Sequence, residues 1–330
     1  MPANLPPQYF EAEKRYRLAK ADEEKIVCLR QMLAIMPKHK GTEKLQADIK
    51  TRISKLKKLM VEKKRAKAKR AQLYHVDREG VAQGVLLGPP NVGKSQLLAS
   101  LTNATPEIAP YPFTTTKPGV GMMPYEDILI QLVDTPPIVD KDLEWWLLDI
   151  FRNTDLLLLV VDLGQEDVLS RLESAIHSLE AAKVKLVSEG VTVAPEVGEV
   201  SKRAMIVGNK NDLEGAEEGF KCLRELYAGK FPLESVSATE RDGLEHLKVE
   251  IYKALDILRV YTKEPGKPPD LTEPVVLKRG STLIDAARAI HKDFAIKLSY
   301  ARLWGSNRYD GQRVERNHVL EDGDVVEFHI

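Results

Sequence analysis

One octapeptide restricts this chain more than any other feature: Gly88-Pro89-Pro90-Asn91-Val92-Gly93-Lys94-Ser95. It satisfies G-x-x-x-x-G-K-[ST] at every fixed position, the pattern of a loop that wraps a phosphate. The flanks agree. Val81 to Leu87 is an apolar run of strand length, and Gln96 to Leu101 continues with helix formers. Strand, glycine loop and helix in that order make an anion site, because the loop N–H groups turn inward and the helix dipole adds positive potential. In such a loop Lys94 reaches the β- and γ-phosphates and the Ser95 hydroxyl sits on Mg²⁺. Gly88, Asn91, Val92 and Gly93, with Gln96 in the first helical turn, complete the expected cradle. An ordinary glycine turn is the competing reading, and the flanking strand and helix weigh against it.

The choice of purine is made elsewhere. Lys202 to Val207 reads as a strand ending in Gly208-Asn209-Lys210-Asn211-Asp212, an N-K-x-D sequence. A carboxylate at Asp212 would accept two hydrogen bonds from the guanine ring N–H and exocyclic amine. Adenine would leave it unpaired, which is a strong discriminator. Asn209 is expected on the other edge of the base and the Lys210 stem over its face. Ser237-Ala238-Thr239, after the apolar-rich Phe231 to Val236, is the expected partner loop, with a backbone N–H meeting the guanine carbonyl. Alone, N-K-x-D reads as a polar turn. It gains meaning from lying 115 residues after Lys94 and from the S-A-T that follows 28 residues later. Between these landmarks, Asp134 ends the apolar run Ile128 to Val133, where a Mg²⁺-linked carboxylate belongs. Tyr111-Pro112-Phe113-Thr114-Thr115-Thr116-Lys117-Pro118 precedes that strand, and a threonine there could complete the Mg²⁺ shell over the γ-phosphate.

Taken together, G-P-P-N-V-G-K-S, Y-P-F-T-T, D-T-P-P, N-K-N-D and S-A-T resemble the Obg-like translation-factor GTPases, above all the branch of developmentally regulated GTP-binding proteins. The resemblance spans nearly the whole chain, including a helical N-terminus and a C-terminal module similar to a TGS domain. It implies GTP and GDP as ligands with Mg²⁺. It gives the Mg²⁺ role in the threonine segment to Thr115, with Thr114 as the alternative. The expected catalytic set is then Lys94, Thr115 and Asp134, and the metal set Ser95, Thr115 and Asp134. Asn91 matches an asparagine that, in related potassium-dependent GTPases, helps hold a monovalent cation beside the phosphates. Such a K⁺ would neutralise developing charge in place of an arginine finger.

One departure matters. The family pattern D-x-x-G is here Asp134-Thr135-Pro136-Pro137. The missing glycine would donate a backbone N–H to the γ-phosphate; proline has none, and it fixes φ. Ile138 follows, in line with relatives that lack a water-positioning glutamine. Asp140, Asp142 or Glu144 could orient water, but the spacing selects none of them. GTP binding is therefore a firmer expectation than hydrolysis. The chain reads as a slow GTPase or, alternatively, as a GTP-binding interaction scaffold with little turnover. A P-loop kinase is disfavoured by N-K-N-D and by the lack of a recognisable substrate lid.

The expected domains are a basic helical hairpin (1–75), a doubly wound α/β P-loop domain (76–263), a linker (264–270) and a β-grasp, TGS-like module (271–330). In the first, Ile26, Leu29, Leu33 and Met36 mark one helical face, and Leu45, Ile49, Ile53, Leu56 and Met60 another. A break lies at Pro37 to Gly41, with Thr42 as a cap. In the second, Leu156 to Asp162 reads as a central buried strand. Helices are expected over Val168–Leu186, Glu217–Tyr227 and Gly243–Tyr261, with a turn-rich Glu189–Ser201. In the last, Val275–Leu277, Ala301–Trp304 and Val325–Ile330 read as strands. Thr282 and Asp285 form a capping box for a helix through about Phe294.

Charge is zero overall but uneven: residues 1–75 carry 20 Lys+Arg against 8 Asp+Glu, leaving 29 against 41 in the remainder. Much of the excess lies between Lys50 and Arg70. It reads as a solvated face or as a contact to RNA phosphates driven by counterion release. Only Tyr74 is an aromatic neighbour, which favours backbone contact over base stacking. The resemblance adds ribosome or structured RNA as partner of this segment and of the TGS-like module, and a possible protein activator. Cys28 and Cys222 are far apart without metal-ligand spacing, so reduced thiols in a cytoplasmic protein are expected. The first residues lack a leader pattern. The longest aliphatic run, Leu156 to Val161, is far too short to span a bilayer, so no membrane is expected.

Overall fold

The structure is a computed structural model. It describes residues 5–19, 21–37, 41–74, 76–102, 118–138, 143–187, 198–305 and 309–329, the side chains of 63–73 excepted. The chain divides into two compact units, Met1–Tyr74 and His75–Ile330.

The first unit has three described helices where two were expected: α1 (Pro7–Leu18), α2 (Asp22–Ile35) and α3 (Glu43–Tyr74). The extra break is not a proline or glycine effect. Ala19 and Ala21 take extended backbone, with ψ of 128° and 137°. Reversing there buries Tyr9 and Ala12 of α1 against Leu29, Met32, Met36 and Ile49, and such packing outweighs local propensity. The turn before α3 is tied by Thr42, whose hydroxyl donates to the Pro37 carbonyl at 2.6 Å and accepts from Gln46 Nε2 at 3.3 Å. The basic run lies on α3.

The second unit begins with β1 (Ala82–Leu87), α4 (Lys94–Leu101), β2 (Gly119–Tyr125), β3 (Ile128–Asp134), α5 (Trp145–Asn153) and β4 (Leu156–Asp162). It continues with α6 (Val168–Ala181), β5 (Val184–Val187), β6 (Val200–Asn209), α7 (Ala216–Tyr227), β7 (Leu233–Ser235) and α8 (Leu244–Leu255). The strands form one sheet in the order β2-β3-β1-β4-β6-β5, with β7 pairing β6 beyond β5. Every pairing is parallel except that of β2 with β3. β2 carries Gly119, Gly121 and Pro124, residues typical of a sheet edge, and the sequence gives it little strand character. β1 and β4 are buried along their whole length, as the uninterrupted aliphatic runs require of central parallel strands. Their side chains join Leu97 and Leu98 of α4 and Leu247 and Ile251 of α8 in one core. This is the doubly wound P-loop architecture. Its registers place the site. Leu86 of β1 is level with Asp134 of β3, and Asp162 of β4 with Asn209 of β6, all at the carboxyl ends where ligands bind such sheets.

Two expected helices end early. α6 stops before Lys183, whose φ of 63° turns the chain into β5. α8 stops at Leu255, capped by Asp256 at φ 55°. The next residues, expected to finish that helix, form β8 (Ile257–Lys263), followed by β9 (Pro269–Lys278), α9 (Leu283–Ile290), α10 (Lys292–Lys297), β10 (Tyr300–Trp304), β11 (Gln312–Val314) and β12 (Asp324–His329). These strands make a second sheet in the order β11-β10-β12-β8-β9, parallel only between β8 and β12. The boundary drawn at residue 271 is therefore corrected to Ile257. Residues 264–270 are not a linker but the turn of the β8–β9 hairpin and the first residues of β9, with Lys263 paired to Pro269. The physical cause is the alternation Leu258, Val260, Thr262 on β8, which sends Leu258 and Val260 into a core with Leu283, Leu303 and Val326. The Thr282–Asp285 capping box is present, and the helix expected through Phe294 divides at extended His291.

Among the described residues no helix is long and apolar enough to cross a membrane. Cys28 is buried, Cys222 exposed, and both are free thiols.

Candidate functional site

The octapeptide loop is shaped by two glycines with no room for a side chain. A Cβ on Gly88 would lie 2.2 Å from the Val160 carbonyl oxygen, and one on Gly93, at φ 88°, would lie 2.4 Å from Asn209 Nδ2. Between them Asn91 turns the loop at φ 63° with its side chain exposed, a conformation asparagine tolerates. Val92 is buried beneath. α4 then begins at Lys94, so the N–H groups of Lys94, Ser95 and Gln96 fall in a first turn that has no intrahelical acceptors for them.

Lys94 is 7 % exposed, and its Nζ donates to the carbonyls of Gly88 (3.1 Å) and Pro89 (2.9 Å). Burial pushes its pKa down to about 8, against a smaller upward pull from Asp134. The ammonium is held by loop carbonyls that a phosphate would replace. Ser95 Oγ donates to Asp134 Oδ2 at 2.5 Å, so the two expected Mg²⁺ residues stand side by side. The donor set fits Mg²⁺: two hard oxygens beside a phosphate cradle. No group of three His, Cys, Asp or Glu among the described residues makes a metal cage. Mg²⁺ is commonly held in this sparse way, by one or two protein oxygens plus phosphates and water. Thr114 and Thr115 lie outside the described residues, as do Asp140 and Asp142. Glu144, the third candidate for orienting water, accepts from Trp146 Nε1 at 2.5 Å.

The third motif is stitched to the loop. Thr135 donates its N–H (3.3 Å) and hydroxyl (2.8 Å) to the Leu86 carbonyl, and Ile138 donates its N–H to the Gly88 carbonyl at 3.1 Å. Pro136 and Pro137 lie between the two stitches. The Gly88 carbonyl thus serves both Ile138 and Lys94.

The N-K-x-D segment meets the same loop. Asn209 is 1 % exposed and each end of its amide makes one hydrogen bond: Nδ2 donates to the Val92 carbonyl (2.8 Å) and Oδ1 accepts from the Ala238 N–H (3.0 Å). It braces the phosphate loop against the S-A-T loop. Lys210 turns at φ 65° and its Nζ donates to Asp162 Oδ2 at 2.7 Å. Asp212 is exposed just beyond. Ser237 is buried, its N–H on the Asp242 carbonyl and its Oγ accepting from Glu240 N–H, with Thr239 next in the exposed turn. Asp162 was not singled out from the sequence. The available signal was the one that marked Asp134: a carboxylate closing an apolar strand.

A family profile described as "50S ribosome-binding GTPase" matches residues 83–193, and one described as "TGS domain" matches residues 258–330. An uncharacterized GTP-binding protein of Methanocaldococcus jannaschii is 30% identical, covering 92% of this chain and 92% of its own length. Developmentally-regulated GTP-binding protein 2 of Homo sapiens is 24% identical over 92% of this chain and 98% of its own, and the Dictyostelium discoideum homolog 26% over the same shares. The chain belongs to the family of developmentally regulated GTP-binding proteins. That family joins a P-loop GTPase domain to a TGS domain, and guanine nucleotide is the ligand such a domain takes. The TGS match begins one residue into β8, in agreement with the boundary set by the sheet.

The brace gives a direct prediction. Asn209→Ala leaves the Val92 carbonyl and the Ala238 N–H buried without their partner. At about 1–3 kcal/mol for each unmade bond, urea unfolding should show a loss of about 2–4 kcal/mol, and nucleotide affinity should fall with it. An unchanged unfolding midpoint would mean the brace is not formed.

Proposed function

We propose that the protein is a slow, Mg²⁺-dependent GTPase switch that acts on the ribosome or on structured RNA. The observation that carries the GTPase half is the Asn209 bridge. One amide ties the loop that holds phosphate to the two loops that read guanine, so a single nucleotide can span Lys94 and Asp212. Ser95 and Asp134 supply the metal oxygens, and Asn91, on the exposed turn of the loop, is the candidate K⁺ ligand. RNA or ribosome contact is supported by the positive charge concentrated in residues 1–75, by the TGS domain, and by the ribosome named in the matching profile's description.

Calorimetry in Mg²⁺ tests the nucleotide. GTP and GDP should bind and ATP should not, and Asp212→Ala should weaken GTP about a hundredfold or more, since the guanine donors lose their acceptor. ATP binding equal to GTP would end the reading. Cosedimentation with ribosomes in GTP, GDP and a non-hydrolysable analogue tests the partner. A salt-insensitive or absent association would remove it.

A second reading, a GTP-binding scaffold with little turnover, is favoured by Pro136 and Pro137 between their stitches. Single-turnover hydrolysis in K⁺ and in Na⁺ separates the two. The switch reading expects slow turnover, faster in K⁺, and a gain in Pro137→Gly. No turnover under any condition leaves the scaffold.

A further inference from the structure

A second cleft, of about 500 Å³, opens where the strands of the large sheet begin, at the far end from the nucleotide loops. Its walls come from both sheets. Val81, Ala82, Leu255, Ile257, Val276 and Leu277 give about half of it an apolar lining. Lys202 and Arg203 line it from the start of β6, whose other end carries Asn209. At about 3.3 Å per residue the two sites are some 20 Å apart along that strand.

The charges around the cleft do not balance. Arg78 pairs with Asp155, and Arg203 pairs with Asp256, which also accepts from Arg279 at 3.2 Å. Lys202 donates to a carbonyl, that of Thr154, at 2.6 Å. Lys278 has no carboxylate partner among the described residues. Among the described residues, the lining itself carries four cations, Arg78, Lys202, Arg203 and Lys278, against one carboxylate, Asp155. Burial depresses the Lys202 pKa; Asp155 opposes this, and Arg78 and Lys278 add to it. The cleft wall also holds Ser201, whose Oγ is buried without a hydrogen bond to any described residue. Buried polar atoms without partners are rare enough to need a reason. Aliphatic side chains beside convergent polar groups can hold a small organic anion, and guanidinium groups suit phosphate oxygens.

We propose that this cleft is a second ligand site, for a phosphate monoester on an organic body. Lys278, Arg78, Arg203 and the Ser201 hydroxyl take the phosphate, and the aliphatic wall packs the remainder. A dianion matches the surplus charge better than a carboxylate does. Because β8 and β9 form part of the wall, the ligand touches both the GTPase sheet and the TGS domain.

The test uses the full chain with the nucleotide site filled by GDP and Mg²⁺, so that the phosphate loop is not free to take the probe. Calorimetric titration compares phenyl phosphate, a short 5′-phosphorylated oligoribonucleotide and the same oligoribonucleotide with a 5′-hydroxyl. Lys278→Ser and Ser201→Ala are the variants; Lys278 is exposed and its replacement leaves the core intact. Saturable binding of phenyl phosphate, with Kd raised about tenfold in either variant and GDP affinity unchanged, is the expected result. Binding of the 5′-phosphorylated oligoribonucleotide alone, with the same response to the variants, also supports the site and identifies an RNA end as the source. The proposal is overturned if no phosphorylated probe binds, if the 5′-hydroxyl form binds equally well, or if the variants bind as the parent does. Failure of GDP to bind is a separate readout and bears on the nucleotide site alone.

Discussion

Arg259→Ala should destabilise the second unit by about 3–5 kcal/mol, the usual cost of removing one partner from a buried ionic network. Arg259 lies on β8 and is 8 % exposed. Its Nη1 donates to Glu126 and, at 2.9 Å, to Asp127; its Nη2 and Nε donate to Asp322 at 2.8 and 3.1 Å. Glu126 and Asp127 form the β2–β3 turn, whereas Asp322 belongs to the TGS domain. One guanidinium thus fastens the two sheets together. Tyr252 of α8 donates to Asp322 and Tyr261 to Asp127, each at 2.6 Å. The guanidinium also stands 5.2 Å from the Tyr252 ring centre and 5.9 Å from that of Tyr125, which stack on each other. Arg259→Lys should recover little, because a single ammonium cannot reproduce the planar fork.

The pH dependence has a definite sign. Burial alone would raise the carboxyls of Asp127 and Asp322. Hydrogen bonds from Tyr261 and Arg259 in the first case, and from Arg259 and Tyr252 in the second, bring both below the ordinary value of 3.8. Groups with depressed folded-state pKa contribute stability above 3.8 and lose it as the pH falls through the folded value. The difference between parent and Arg259→Ala should therefore be full at neutral pH and shrink below about pH 4. Urea titrations at pH 7 and at descending acid pH measure it. A pH-independent difference would mean that packing, not charge, holds the domains together.

How much of this could be read from the chain depends on the range of the interactions. The phosphate loop was fully legible, since its geometry comes from contiguous residues: two glycines, a lysine and a serine between an apolar strand and a helix. Asp134 and the N-K-x-D segment were legible by a weaker rule, that polar residues closing apolar strands gather at one edge of a parallel sheet. Asn209 shows where that rule stops. Its place at the sheet edge was legible, but the bracing bonds it makes to Val92 and Ala238, 117 and 29 residues away, were not. Local pattern does not report such partners. The same limit hid β8. Gly243 to Tyr261 has enough apolar residues to read as one helix, and only pairing with β9 and β12 makes its last five residues a strand. Arg259 looked like one basic residue among many, because its four carboxylate contacts come from segments more than 60 residues distant on either side.

The charge on Lys94 gives the largest expected effect on ligand binding. Its Nζ sits among carbonyls, and burial lowers its pKa from 10.5 to about 8. Between those values the unfolded chain carries a proton there that the folded chain does not. Stability should therefore rise with pH across that window, by up to about 3 kcal/mol from this group. Lys94→Met should flatten the rise. A bound triphosphate reverses the preference, since its charge stabilises the ammonium. GTP binding should then take up as much as one proton above pH 8 and almost none at pH 6.5. Calorimetry at pH 9 in two buffers of different ionisation enthalpy reads this directly: the observed enthalpies should differ in the parent and agree in Lys94→Met. The same variant should lose GTP affinity by about a hundredfold or more, the scale for removing a charge-assisted contact from a closed phosphate site. Drawing Lys94 toward phosphate also frees the Gly88 carbonyl that it shares with Ile138, so the stitch between the loop and the third motif changes at the same step. Equal enthalpies in both buffers for the parent protein would place Lys94 away from the phosphates and dissolve the link between nucleotide and third motif.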